Sequence, residues 1–390
     1  MKNTYQTVVA SFIIMVCIGG VYAWSTYVPH LREVYQFSST QTQLIFGSII
    51  GIFTTTMVLA RKLQEFISVQ TLVRITAFLC FIGYLLVFLS AGHFWIIYLG
   101  IAVIGGIATG LGYLIAISIP ARWFPHKKGL ITGIVSAGFG GGAIFESLLA
   151  EKLFSLHFHV LSVLFIVGIL SSILLFASSF FVYLPEKEVS VKPYSVINLI
   201  QSATFIRLFI GIFTGTFAGL MIISNLKPIG IEHQISSSAL LWSISIFSIA
   251  NLSGRFLWGF LNDYIEGKHL IPLSIFMIGI ASYCLIALPL HSVSFIFFTF
   301  IIGFSFGANF VIYAKETAQE YGLKAIGNIY PLVFLGYGIA GLVGPMASGY
   351  LHDSFGNYLY AGYAALALCL VVGIGFIVLG RKVKAEHIQV

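Results

Sequence analysis

The sequence predicts an all-α membrane protein of twelve transmembrane helices in two pseudo-symmetric halves of six, and three observations lead there. Of the 390 residues, 58% are hydrophobic and only 8% are charged. Soluble globular chains carry about 25% charge, and no soluble fold of this length has enough interior to hide so much apolar surface. The apolar residues also fall into twelve continuous runs, each near the roughly 20 residues a helix needs to cross a bilayer. Finally, glycine-dense segments and basic loops recur at an offset of about half the chain.

The first six runs lie at about 8–28, 41–60, 71–91, 94–119, 129–150 and 160–184. The second six lie at about 204–225, 238–262, 270–290, 293–314, 327–350 and 358–380. Continuous runs argue against a strand barrel, whose segments alternate. Backbone groups in lipid must bond within their own segment, so the runs are helices. The first run is read as a retained helix. It is longer than a typical signal core, and Tyr22, Trp24, Tyr27 and Pro29 stand where a cleavage site needs small residues.

A basic loop follows the second run (Arg61, Lys62) and another follows the eighth (Asn262 to Lys268). The fifth run carries GIVSAGFGGGA at 133–143 and the eleventh carries GYGIAGLVGP at 336–345. Small residues let helix backbones approach closely. The longest polar connection, at 185–203, separates six runs from six. The expected organisation is a bundle over 1–184, a cytoplasmic linker over 185–203 and a second bundle over 204–390, a parallel repeat of the kind seen in the major facilitator fold.

The net charge is +7. With both termini on the inside, the inner loops and helix ends hold Lys2, Arg61, Lys62, Arg74, Arg122, Lys127, Lys128, Lys187, Lys192, Arg207, Lys268, Lys315, Lys324, Arg381, Lys382 and Lys384. The outer ones hold only Arg32, Lys152 and Lys227. This positive-inside bias orients the chain with cytoplasmic termini and accounts for the basic balance without a nucleic-acid partner. A bacterial inner membrane and a monomeric state are the expected setting. Cys17, Cys80, Cys284 and Cys369 all lie in apolar runs without paired spacing and read as small buried hydrophobes.

Arg255 stands deep in the eighth run, within SIANLSGRFLWGFLND. An arginine at the bilayer centre costs about 2.5–3.5 kcal/mol on insertion scales, so it normally faces a cavity or a partner. Asn251 lies one turn before it and Trp258 nearly one turn after. Three roles are open: a two-pronged donor to an anionic substrate, a structural pair with Glu146, or snorkelling to the inner surface. About 10 Å of helix between Arg255 and Asn262 weakens the last. Glu146 is the only acid well inside an apolar run. It stands close to the outer surface, and is either a solvated acid near a helix end or, if buried, a proton carrier.

Tyr22, Trp24, Tyr113, Asn309, Tyr313, Tyr330 and Tyr337 are candidates to line a central cavity, since their polar atoms need partners in lipid. Tyr330 and Tyr337 share a face. Tyr27 and Tyr358 read better as interfacial belt residues. No enzyme constellation is found, no phosphate-binding loop, and no cofactor or metal signature. His157 with His159 reads as a solvated turn, and GFGGGA lies in a membrane helix with no preceding strand.

The stretch from Tyr113 through ARWFPHKKGLITGIVSAGFGGGA to Ala143 resembles the helix 4–5 region of the oxalate/formate antiporter family, within the monocarboxylate transporter group. GGVYAWSTYV, AGLMIISNLKP, the arginine of NLSGRFLWG, and GIAGLVGP agree with it, and the resemblance spans nearly the whole chain. GFLNDYIEGK is a shifted version of the facilitator loop signature. The resemblance implies alternating access, transport of small carboxylates, and Arg255 as the anion-binding arginine. Three departures stand out. Tyr337 occupies the helix 11 position where oxalate-type members carry a lysine. Asn251 stands where animal monocarboxylate carriers have a proton-coupling aspartate. Thr26 is nearest to their helix 1 lysine. The expected function is therefore a small monocarboxylate carrier, with proton symport as the simplest coupling. Exchange of a dicarboxylate or another metabolite is the alternative. A sensor without flux is remote, because the loops and termini leave no room for an output module.

Overall fold

The computed structural model describes residues 2–64, 66–124, 128–184, 199–322 and 326–379. The described chain is helical and crosses the bilayer twelve times. The first six spans are α1 (Thr4–Thr26), α2 (Ser39–Ala60), α3 (Val69–Leu89), α4 (Phe94–Trp123), α5 (Ile131–Ser155) and α6 (Val160–Phe181). The second six are α7 (Ala203–Ile223), α8 (Ser237–Tyr264), α9 (Gly267–Ala287), α10 (Ser292–Tyr321), α11 (Ile329–Phe355) and α12 (Leu359–Val378). Most of the linker expected at 185–203 lies outside the described residues, as do Lys127, Lys187, Lys192, Lys324, Arg381, Lys382 and Lys384.

Several helices outrun their apolar stretches. The fifth was expected to end near 150 and reaches Ser155; the tenth and eleventh reach Tyr321 and Phe355 rather than 314 and 350. Hydropathy registers lipid depth, whereas Glu, Lys and Gln continue a helix readily into water. Local chemistry sets other ends. Ser68 and Ser202 accept from the backbone N–H groups of Thr71 and Phe205, capping α3 and α7. Two spans are irregular: α1 finishes as a 3₁₀ helix over Gly19–Thr26, and α4 has a π-helical stretch over Tyr98–Ile104.

Within the first six spans α1 packs on α5 and α3 on α6; within the second six α8 packs on α10 and α9 on α12. The two sets meet along α2 with α11 and along α5 with α8. Glycine makes the first contact close. A side-chain carbon at Gly47 would lie 2.7 Å from the Gly341 carbonyl oxygen, nearer than real contacts allow.

With an even number of spans, both described ends of the chain lie at one face of the bundle, and polar contacts between the two sets concentrate at the other. Asp353 of α11 receives the backbone N–H groups of Ser39 (2.9 Å) and Thr40 (2.7 Å) at the start of α2. A carboxylate there meets the positive end of the helix dipole. His352 bonds Ser39 Oγ at 2.9 Å, and Gln43 Nε2 donates to the Ser224 carbonyl at 3.2 Å. Lys227, in the short helix Leu226–Glu232, forms an ion pair with Glu151 of α5. Burial pushes the pKa of the Lys227 ammonium down to about 8.

Tyr27 and Tyr358, expected in an interfacial belt, are each 1% exposed. Their hydroxyls donate to Glu146 and to Asn225, so internal polar partners draw them in. The four cysteines are free thiols, with Cys80 and Cys369 buried.

In the glycine-rich stretch of α5, Gly142 faces the Val16 backbone and tolerates no side chain, whereas Gly141 has open space beside it. Gly142→Val is expected to destabilise the protein by about 1–3 kcal/mol through overpacking against unyielding backbone. Gly141→Val is expected to be close to neutral. Thermal unfolding in detergent, followed by intrinsic fluorescence, compares the two.

Candidate functional site

The site is built around the contact of α8 with α10. Gly254 and Gly307 bring the two backbones together, so Arg255, next to Gly254, leaves α8 directly alongside α10. Its Nε donates to Asn251 Oδ1, one turn earlier, at 3.0 Å. Its guanidinium carbon lies 4.3 Å from the centre of the Phe310 ring, which offers its negative face. Trp258 turns away and donates to the Phe304 carbonyl at 3.1 Å, bracing the α8–α10 contact.

Among the described residues no carboxylate pairs with Arg255, which removes the structural pair with Glu146. A guanidinium has five N–H donors, and the hydrogen bond found for it among the described residues uses Nε.

An aromatic cluster surrounds the guanidinium. Phe310 contacts Tyr337 and Phe334, with ring centres 5.6 and 6.0 Å apart. Tyr330 stacks beside Phe334, and its hydroxyl reaches the Phe310 carbonyl at 3.5 Å. From the first six spans come Tyr22, Phe53, Tyr113 and Phe139, joined ring to ring. The two sets meet where the Tyr22 and Tyr337 hydroxyls share a hydrogen bond of 2.8 Å. The structure thus gathers Arg255, Asn251, Tyr22, Tyr113, Tyr330 and Tyr337 into one cluster.

Three expected lining residues lie elsewhere. Trp24 donates to the Thr42 carbonyl at 3.0 Å, at the start of α2. It sits two residues after Tyr22 in a 3₁₀ segment with three residues per turn, so the two side chains diverge. Asn309 and Tyr313 occupy the face of α10 turned to α7, against Gly215 and Gly211. Asn309 Nδ2 bonds the Phe306 carbonyl, about 100° around the helix from Phe310.

Glu146 is not a wet acid near a helix end. Helix α5 runs on to Ser155, so the carboxylate is buried, 7% exposed, and accepts a 3.0 Å hydrogen bond from Tyr27. It belongs to a separate polar site within the first six spans.

The aromatic partners Phe310 and Phe334 are absent from the sequence-based set. A spacing signal was present: Tyr330, Phe334 and Tyr337 share one helix face, as do Phe306 and Phe310. Nothing in the sequence pairs Lys227 with Glu151, or Asp353 with the start of α2.

A family model described as Major Facilitator Superfamily matches residues 8–226 and again 208–389. The Escherichia coli (strain K12) protein named uncharacterized MFS-type transporter YhjX is 26% identical over 354 residues, covering 87% of this chain and 86% of its own. The oxalate:formate antiporter of Oxalobacter formigenes is 24% identical over 264 residues, covering 65% of this chain and 62% of its own. Among solved structures, a bacterial homologue of the human lysosomal transporter Spinster, inward-facing and occupied, superposes with a TM-score of 0.74. That match covers 98% of each chain at 15% identity and establishes the shared fold.

The Tyr22–Tyr337 bond yields a prediction about coupling between the two sets of spans. A double-mutant cycle of Tyr22→Phe and Tyr337→Phe is expected to show an interaction energy of about 0.5–1.5 kcal/mol in thermal stability. Additive effects would mean that the hydroxyls do not act as a pair.

Proposed function

Because the chain belongs to the Major Facilitator Superfamily, we propose that it is a secondary transporter of small organic anions that works by alternating access, with a monocarboxylate such as lactate, pyruvate or formate as cargo. The observation that carries this reading is the Arg255 guanidinium, held by Asn251 and Phe310 with no carboxylate partner among the described residues. A substrate carboxylate on its terminal nitrogens would supply the missing countercharge in the two-pronged geometry that arginine favours. The Tyr22 and Tyr337 hydroxyls, one from each set of spans, would exchange their mutual bond for bonds to the same anion. Binding would then act on both halves at once.

Tyr337 stands at the helix 11 position where oxalate-type carriers have a second cation, which favours a monoanion over a dianion. Proton symport would make the loaded step neutral overall. The likeness to an oxalate:formate antiporter supports anion exchange as the second reading. We place the protein as a monomer in the bacterial inner membrane with cytoplasmic termini. Residues 1–184 and 204–390 would be the rocking units, and the closed end would face outward.

Uptake of radiolabelled lactate, pyruvate and formate into proteoliposomes tests the assignment. Arg255→Gln is expected to lower uptake of the transported acid at least about tenfold, as befits loss of a charge-assisted pair of about 1.5–3 kcal/mol. Arg255→Lys is expected to restore only part of it, because an ammonium cannot reproduce the fork. Unchanged uptake in both variants would overturn the reading. Stimulation by preloaded anion, with no response to a pH gradient, would select exchange.

A further inference from the structure

Glu146 lies apart from Arg255, wholly within the first six spans. Its carboxylate borders a cavity of about 60 Å³ among α1 to α6. A second void of about 20 Å³ lies on its other side, toward α6. A cavity needs only about 10–15 Å³ by this measure to hold a water, so the larger one admits several. The titratable groups facing the carboxylate are Tyr27 and Cys17 from α1 and its end, and Cys80 and Tyr84 from α3. Among the described residues, no lysine, arginine or histidine lines either cavity.

One carboxylate oxygen accepts from Tyr27, and the other rests against Gly20, whose missing side chain leaves it room. A full negative charge so enclosed, with one donor and no cation, is poorly compensated. A carboxyl group in contact with a few waters can instead take up a proton and return it.

The surroundings of Glu146 lead to the closed end. Five residues on along α5, Glu151 pairs with Lys227 from the second half of the chain. Tyr27 joins α1 to the short helix Val28–Tyr35, and three residues earlier Trp24 ties α1 to the start of α2, which Asp353 holds from α11. A change of charge on Glu146 would act on the Tyr27 contact, which lies behind both cross-half contacts.

We propose that Glu146, oriented by Tyr27, is a proton-binding site whose occupancy is coupled to opening and closing of the end remote from the termini. The step is one proton moving from the aqueous phase, through cavity water, to a carboxylate oxygen, and back again. The proposal rests on the transport reading for its purpose, but not on the identity of the anion or on Arg255.

Infrared difference spectroscopy of the reconstituted protein, titrated across about pH 5–9 in H₂O and D₂O, tests the site directly. The expected result is a protonated-carboxyl stretch that titrates in the wild type, disappears in Glu146→Gln and changes frequency in Tyr27→Phe. Spin labels at exposed Gln36 and Asn357, one from each set of spans beside the Ser39–Asp353 contact, report the coupling. Their distance distribution is expected to shift with pH in the wild type and in Arg255→Gln, and to lose that shift in Glu146→Gln. A titrating band that survives Glu146→Gln, or a distance shift that does, overturns the proposal. So does the absence of any titrating band in the wild type. Retention of the pH response in Arg255→Gln keeps this result independent of the anion-binding assignment. Tyr27→Phe keeps the carboxylate and supplies the comparison should Glu146→Gln fail to fold.

Discussion

A polar group in the bilayer interior must find its partner inside the protein or in trapped water, since lipid offers none. The rest of this structure depends on that constraint. It draws the Tyr27 and Tyr358 hydroxyls inward to Glu146 and Asn225. It sends the Trp24 and Trp258 indoles to backbone carbonyls. Arg255 stands out because, among the described residues, its guanidinium meets an amide oxygen and an aromatic face and no carboxylate.

The two ionisable centres are separated in kind as well as in place. Arg255 sits where rings from both sets of spans meet. Glu146 sits inside one half, and its link to the other runs through helix ends. The proposed anion site and the proposed proton site would thus rest on different helices.

Much of the fold was legible in the sequence because the signals were long and repetitive. Twelve apolar runs became twelve spans, and the glycine motifs marked real close approaches. Helix ends were less legible, because α5, α10 and α11 continue on charged residues that hydropathy discounts. Arg255, Asn251 and the four tyrosines of the candidate cluster stand out in the sequence because a polar side chain deep in an apolar run is conspicuous. Phe310 is harder to single out, one phenylalanine among 36, with only its four-residue spacing from Phe306 to mark it. Trp24 and Asn309 were misplaced by helix phase, which a list of mid-membrane polar residues does not contain. The depth of Glu146 depended on a helix end that hydropathy placed five residues too early.

The clasp at the remote end holds one more consequence. Asp353 receives two of its hydrogen bonds from the main-chain N–H groups of Ser39 and Thr40. Any residue except proline supplies such a donor, so the α2 side of the clasp can drift in sequence without losing them. The α11 side has no such freedom, because the acceptor is a side chain of one particular length and charge. Substitution on the α2 side therefore costs only the hydroxyl bonds of Ser39 to His352 and of Thr40 to Asp353, whereas loss of the Asp353 carboxylate removes every bond it receives.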